Sequence, residues 1–268
     1  GSNNVAVGDF AMNSNTTGAN NTAVGSQALD SNSTAANNTA VGSNALGANT
    51  TGTQNTAVGA LALDASTTAS GNTVAGYGAG GALTTGGYNT FIGNAAGDAQ
   101  TTASSNIAIG NAALTENVTG SGLVAVGGEA LQKNTGSNST AVGFQALEEN
   151  TSGTQNTAVG AYALTANTTV SDNTAIGYQA LKANTTGANN TSVGHNSLLS
   201  NTTANNNTAL GADSLLANTT GTQNTAVGKE ALDANTTADN NTAFGYVALT
   251  SNTTGTQNTA VGSLALDA

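Results

Sequence analysis

Side chains able to carry out acid–base or metal chemistry are few in this sequence, and they are scattered. His195 is the only histidine, cysteine is absent, and the acidic residues include one adjacent pair, Glu148-Glu149. A histidine without a second histidine, a thiol or a neighbouring acid lacks the partners that a metal centre or a general base requires. We therefore predict that the chain is not an enzyme, that it has no catalytic, cofactor or metal site, and that His195 is a surface residue.

Three aspartates, Asp30, Asp64 and Asp98, share one phase of the repeat described below, but they do not fall in neighbouring units. Calcium-binding β-rolls carry an aspartate in every Gly-Gly-x-Gly-x-Asp unit. That pattern is absent here, so a calcium site is not expected.

Threonine pairs at a fixed spacing indicate a different kind of chemistry. A flat, regular row of threonines meets the physical requirement for ordering ice-like water, so an ice-binding β-solenoid is one interpretation, and a solvated ladder of turns is the alternative. The pairs in question are Thr50-Thr51, Thr67-Thr68 and Thr219-Thr220.

The charge pattern excludes several partners. The net charge is -11, arginine is absent, and the basic residues are Lys133, Lys182 and Lys229. Nucleic-acid binding needs basic side chains that displace counterions, so we expect no nucleic-acid partner. No apolar run approaches the ~20 residues of a membrane helix, and we expect no membrane insertion of this segment.

The sequence is organised by an internal repeat, which takes precedence over any interpretation of single elements. Asn21-Thr22-Ala23-Val24-Gly25 returns with a 17-residue period up to Asn258 to Gly262, and the unit at 123–138 is shorter by one residue. With that Asn as position 1, sixteen units run from Asn4 onward. We number them as coils 1 to 16. We predict a tag or linker remnant at residues 1–3 and a single β-solenoid repeat domain at residues 4–268.

A unit of this length is too short for paired helices and suits one coil of short strands and turns. The predicted fold is therefore an all-β parallel β-solenoid of about sixteen coils. Asparagines at positions 1 and 12 should stack as ladders of side-chain amides. Glycine at position 5 indicates a tight turn, and it is represented by Gly8, Gly25, Gly42, Gly59, Gly160 and Gly228. Positions 4 and 9 are predicted to supply the core, with Val24, Leu29, Val41, Leu46, Val159 and Leu164 as members.

Neighbouring apolar residues within a strand have a further consequence. Adjacent strand residues point to opposite faces, so Ala23 and Val24 place apolar surface on both sides of the strand. Soluble monomers rarely expose a long apolar stripe. We therefore expect self-association, either as a lateral homotrimer or as an end-to-end filament.

The unit Asn-Thr-Ala-Val-Gly, followed by a small-apolar pair, resembles the Asn-Ser-Val-Ala-Ile-Gly head repeats of trimeric autotransporter adhesins, over essentially all of residues 4–268. Similar arrays occur in phage tail fibres and bacterial surface repeat proteins. The resemblance implies a left-handed, trimeric β-roll that binds host or matrix proteins at the cell surface. The expected function is thus a structural or adhesive segment of an extracellular fibre or surface adhesin, with a self-assembling filament subunit and an ice-binding solenoid as alternatives.

Overall fold

The computed structural model describes residues 1–267 and is an all-β chain in which each repeat contributes one short strand. The predicted parallel β-solenoid with its 17-residue repeat is confirmed. The chain divides after Thr135, inside the shorter coil, into two compact units. Each unit holds eight strands.

The strands of the first unit are β1 (Val5–Val7), β2 (Thr22–Val24), β3 (Thr39–Val41), β4 (Thr56–Val58), β5 (Thr73–Ala75), β6 (Thr90–Ile92), β7 (Ile107–Ile109) and β8 (Val124–Val126). Those of the second unit are β9 (Thr140–Val142), β10 (Thr157–Val159), β11 (Thr174–Ile176), β12 (Thr191–Val193), β13 (Thr208–Leu210), β14 (Thr225–Val227), β15 (Thr242–Phe244) and β16 (Thr259–Val261). Within each unit, every strand pairs in parallel with the next strand along the chain. Equivalent positions lie side by side, as in Thr22↔Thr39 and Val24↔Val41.

The prediction that position 4 belongs to the core is wrong. Side chains alternate along a strand, so positions 2 and 4 share one face and position 3 points the other way. Position 3 is the buried one, as Ala23 shows with no accessible surface. Val24 and Val41 are each 36% exposed, and Val159 is half-buried. These three valines therefore lie on the outside of the coil.

The predicted core leucines at position 9, Leu29, Leu46 and Leu164, have no accessible surface. A leucine of this size fills the narrow interior opposite the strand, which leaves room for only a small residue at position 3, such as Ala23 or Ser192. Two coils show the same relation in reverse: where position 9 is Gly80 or Gly97, position 3 is Val74 or Phe91, and both larger side chains are fully buried.

Backbone angles with positive φ close each coil. The predicted turn glycines Gly8, Gly25, Gly42, Gly59, Gly160 and Gly228 have φ between 132° and 139°. A Cβ at Gly25 would also lie 2.6 Å from the carbonyl carbon of Gly42 in the next coil. Positions 7 and 9 adopt the left-handed region even with ordinary residues, for example Gln27 at φ 59° and Leu29 at φ 51°. Burial of the leucine offsets the strain of a conformation that bulky residues normally avoid.

Buried asparagines hold the interior together in two directions. In coil 3, Asn38 and Asn49 both donate their side-chain amides to the carbonyl oxygen of Gly52, at 2.8 and 3.0 Å. Along the axis, the Oδ1 of Asn38 accepts the backbone N–H of Asn55 at 2.9 Å, and Asn49 donates to Asn32 of the preceding coil at 3.2 Å. The predicted ladders at positions 1 and 12 are therefore present, and each coil of this type also carries a transverse amide bracket.

The exchange of volume between positions 3 and 9 predicts a compensating pair of substitutions. Phe91→Ala should lower the free energy of unfolding by about 3–5 kcal/mol because it empties a filled site. Gly97→Leu should also destabilise, by about 1–3 kcal/mol or more, because its side chain would overlap the Phe91 ring. The double variant restores the alanine and leucine of the other coils and should recover most of the loss.

Chemical unfolding of the two single variants and the double variant measures this coupling, which should exceed about 2 kcal/mol. Tyr77→Ala is the control, because Tyr77 is an aromatic residue nearby but is 59% exposed. Additive losses in the double variant would contradict the volume argument.

Candidate functional site

The candidate site is the outward face of the strands, formed in each coil by the side chains at positions 2 and 4. Position 2 is threonine in thirteen coils and valine or isoleucine in the other three. Position 4 is valine, isoleucine, leucine or phenylalanine in every coil except coil 5, which has Ala75. None of these positions is charged, although the chain carries a net charge of -11. The outward face is therefore a neutral array of alternating hydroxyl and methyl rows.

Regular spacing follows from the strand pairing. Parallel neighbours place equivalent side chains about 4.8 Å apart along the axis, and positions 2 and 4 lie about 6.6 Å apart along a strand. The aliphatic row is well exposed: Val58 is 43%, Leu210 is 47% and Phe244 is 55% exposed. Each unit therefore presents a two-row lattice that is eight coils long.

The threonines of the outward face differ from the threonine rows predicted from the sequence in the hydrogen bonding of their hydroxyl groups. The position 13 hydroxyls of Thr50, Thr67 and Thr219 donate to the position 13 carbonyl one coil further, at 3.0 to 3.3 Å, so they serve the solenoid itself. Thr51, Thr68 and Thr220 at position 14 are exposed. By contrast, no position 2 hydroxyl has a hydrogen-bond partner within residues 1–267.

The position 2 row is the feature that the sequence reasoning missed. Its signal was the Thr-x-Val alternation, which places threonine and valine on the same face of a strand. Assigning valine to the core would place threonine inside with it, since positions 2 and 4 share a face. Once Ala23 is recognised as the buried residue, both side chains must point outward.

His195 lies in a row of aromatic rings on the surface of the second unit, at the turn that follows the strand. Its ring stacks on Tyr178 with centroids 5.5 Å apart, and Tyr178 meets Tyr162 edge-on at 6.0 Å. Phe144 continues the row, and Lys182 lies over the Tyr162 ring at 5.3 Å. Because the rings pack against one another, the row stabilises adjacent turns. Residues 1–267 hold no group of three or more metal-ligating side chains.

Asp64 and Asp98 approach one another around Gly81, which separates them in the stack of side chains at position 10. A Cβ at Gly81 would lie 2.7 Å from Oδ1 of Asp98 and 3.4 Å from Oδ1 of Asp64. Desolvation raises the pKa of both carboxyl groups above the ordinary 3.8, and the charge of Asp98 raises that of Asp64 further. Two carboxylates in a partly buried depression thus destabilise the folded chain when both are ionised.

Comparisons of the chain with protein-family models, with curated proteins and with solved structures give no match. Residues 1–267 contain no helix with the length and hydrophobicity that a membrane span requires.

The raised pKa values of Asp64 and Asp98 predict a pH-dependent effect on stability. A carboxyl group whose folded pKa exceeds its unfolded pKa binds more protons in the folded state, so stability falls as the pH rises through that interval. Asp64→Asn with Asp98→Asn should therefore raise the free energy of unfolding at pH 7. The gain should vanish below about pH 3.8, where both states are protonated.

Urea unfolding at pH 7 and below about pH 3.8 measures the difference in the free energy of unfolding between the double variant and the wild type. Asp172→Asn is the matched control, since it also removes a charge but at an exposed position, and it should have little effect. A double variant less stable than the wild type at pH 7 would mean that the two carboxylates stabilise the fold.

Proposed function

We propose that this chain is a structural and adhesive segment of an extracellular fibre or cell-surface adhesin, and that it acts through a repeated surface without a catalytic site. One observation carries the proposal: every coil adds an uncharged pair of side chains to the outward face, with threonine at position 2 in thirteen coils, and most coils add the same amide bracket to the interior. A protein built in this way gains length and contact area together as coils are added. The resemblance to adhesin head repeats supports the same assignment.

Such a surface can adhere to a ligand because the same weak contact is repeated on many linked coils. A single coil offers a ligand only a threonine and an aliphatic side chain, which is a weak contact. Contacts repeated on linked coils act as one multivalent surface, and their combined affinity exceeds that of any single contact. A matrix protein with an extended, repetitive surface is the partner that fits this arrangement.

Lateral self-association through the outward face, as a homotrimer, is the oligomeric state that we propose. Eight coils of three-residue strands cover roughly 400 Å² in each unit, from spacings of about 4.8 Å between strands and about 3.3 Å per residue. Stable interfaces bury about 800 Å² per partner, so the face of one unit alone supplies about half of that area. A second copy of the chain also offers the same uncharged surface, so no charge would be buried without a partner.

Light scattering in solution tests this proposal, and a mass of three chains is expected. Thr56→Lys with Thr73→Lys places two charges on the outward face of adjacent coils. In a symmetric assembly these charges would face their own copies, so the variant should be a single chain.

Thr51→Lys with Thr68→Lys is the matched control, because it adds the same charge at position 14, where both threonines are exposed, and it should leave the mass unchanged. A wild-type mass of one chain at all concentrations would rule out self-association. A mass that grows continuously with concentration would favour an end-to-end filament over the trimer.

Ordering of ice is a second candidate function, favoured by the unpartnered hydroxyls of position 2. Water above such a face can be anchored by hydroxyl groups and caged by the neighbouring methyl groups. The regular spacing of the two rows would impose one lattice on that water. This function requires an uncovered outward face, so the mass measurement also separates the two candidates.

Thermal hysteresis of the purified chain tests the ice-binding candidate. The wild type should depress the freezing point below the melting point, and Thr56→Lys with Thr73→Lys should abolish the effect because the charges interrupt the lattice. The position 14 variant should keep the effect. An absence of hysteresis in the wild type would reject this function.

A further inference from the structure

In the first unit, one stretch of the outward face lacks the threonine hydroxyl groups found in most other coils. In β7 and β8 the threonine of position 2 is replaced, by Ile107 and Val124, while position 4 keeps Ile109 and Val126. The strands pair in register, with Ile107 beside Val124 and Ile109 beside Val126. Ile107 is 39% exposed and the other three are half-buried. These four residues, which we call the aliphatic patch, form the largest block of the face without a hydroxyl group.

Threonine and aliphatic side chains respond in opposite ways when the face is covered. The position 2 hydroxyls have no partner in the described residues, so a dry interface leaves them unsatisfied unless the partner supplies hydrogen bonds. Isoleucine and valine gain from the same burial because only apolar surface leaves water. A coil of the aliphatic patch therefore gains more from burial than a coil that carries threonine and valine.

Two other features of the surface are weaker candidates for this role. The aromatic row of the second unit lies beside charged groups, with Lys182 over one ring and Asp213 3.7 Å from His195. Burying those groups would carry a desolvation penalty. Val5 also replaces threonine at position 2, but its neighbour Thr22 restores the hydroxyl, so no second patch forms there.

We infer that the aliphatic patch is the energetic centre of the contact between copies of this chain, with a second copy as its partner. The inference rests on the proposed self-association. The partner is another copy because the patch lies within a neutral face in a chain of net charge -11, and a second copy covers it with an equally uncharged surface, so that no charge is buried without a partner. Interface energy commonly concentrates in a few well-packed, desolvated side chains near the centre of the contact, while the surrounding contacts exclude water.

Ile107→Thr with Val124→Thr tests the inference, because it gives these coils the residue found in thirteen others. The outward position and the shared β-branch should preserve the fold, which the thermal unfolding of the dissociated chain verifies. Sedimentation equilibrium should show association weakened by about tenfold or more.

Ile107→Val with Val124→Ile is the conservative control and should associate like the wild type. Thr191→Val with Thr208→Val, which creates an equivalent patch in the second unit, should strengthen association. A wild type that associates while the threonine variant is unchanged would overturn the aliphatic patch alone. A wild type that remains a single chain would overturn both this inference and the self-association on which it rests.

Discussion

The backbone carbonyl at position 15 of the coil is the point on which the rest of the structure depends. In coil 11, Asn173 and Asn184 both donate to the carbonyl oxygen of Gly187, each at 2.8 Å. A coil with a thin core has many backbone polar groups close to its interior, and each must find a partner away from water. The two amides meet that need within the coil, and their Oδ1 atoms accept hydrogen bonds from the next coil. The 17-residue period is the spacing that keeps both sets of bonds in register.

Departures from the repeat show where this constraint is relaxed. In coils 4 to 6 position 12 carries Ser66, Leu83 and Gln100 in place of asparagine. Within this stretch the Oγ of Ser66 and the Nε2 of Gln100 are buried without a hydrogen-bond partner, and so is the Oδ1 of Asn49 in the preceding coil 3. Phe91 fills the core close by, where position 9 is glycine. The coil thus tolerates a broken ladder where extra apolar packing offsets the unsatisfied groups.

Much of the fold could be predicted from the period alone. Gly25 and its equivalents repeat because a Cβ would strike the next coil, and Asn38 and its equivalents repeat because their amides stack. The assignment of Val24 to the core failed for a physical reason: alternation shows which residues share a face, but not which face lies inside. The size of the partner across the coil decides that question. The pairs Val74 with Gly80 and Phe91 with Gly97 carried this information in the sequence.

The inversion of the core also changes what the surface can do. With alanine inside and valine outside, the larger apolar side chain of each strand is available to a partner, while the interior is held by leucine and asparagine. The outward face can therefore vary without disturbing the ladder, and the structure shows such variation at Ala75, Ile107 and Phe244. Identical coils give a surface with area but no preferred register, since a shift by one coil restores every contact. Specificity must then arise where neighbouring coils differ from the repeat, because only those contacts are lost when the partner slides.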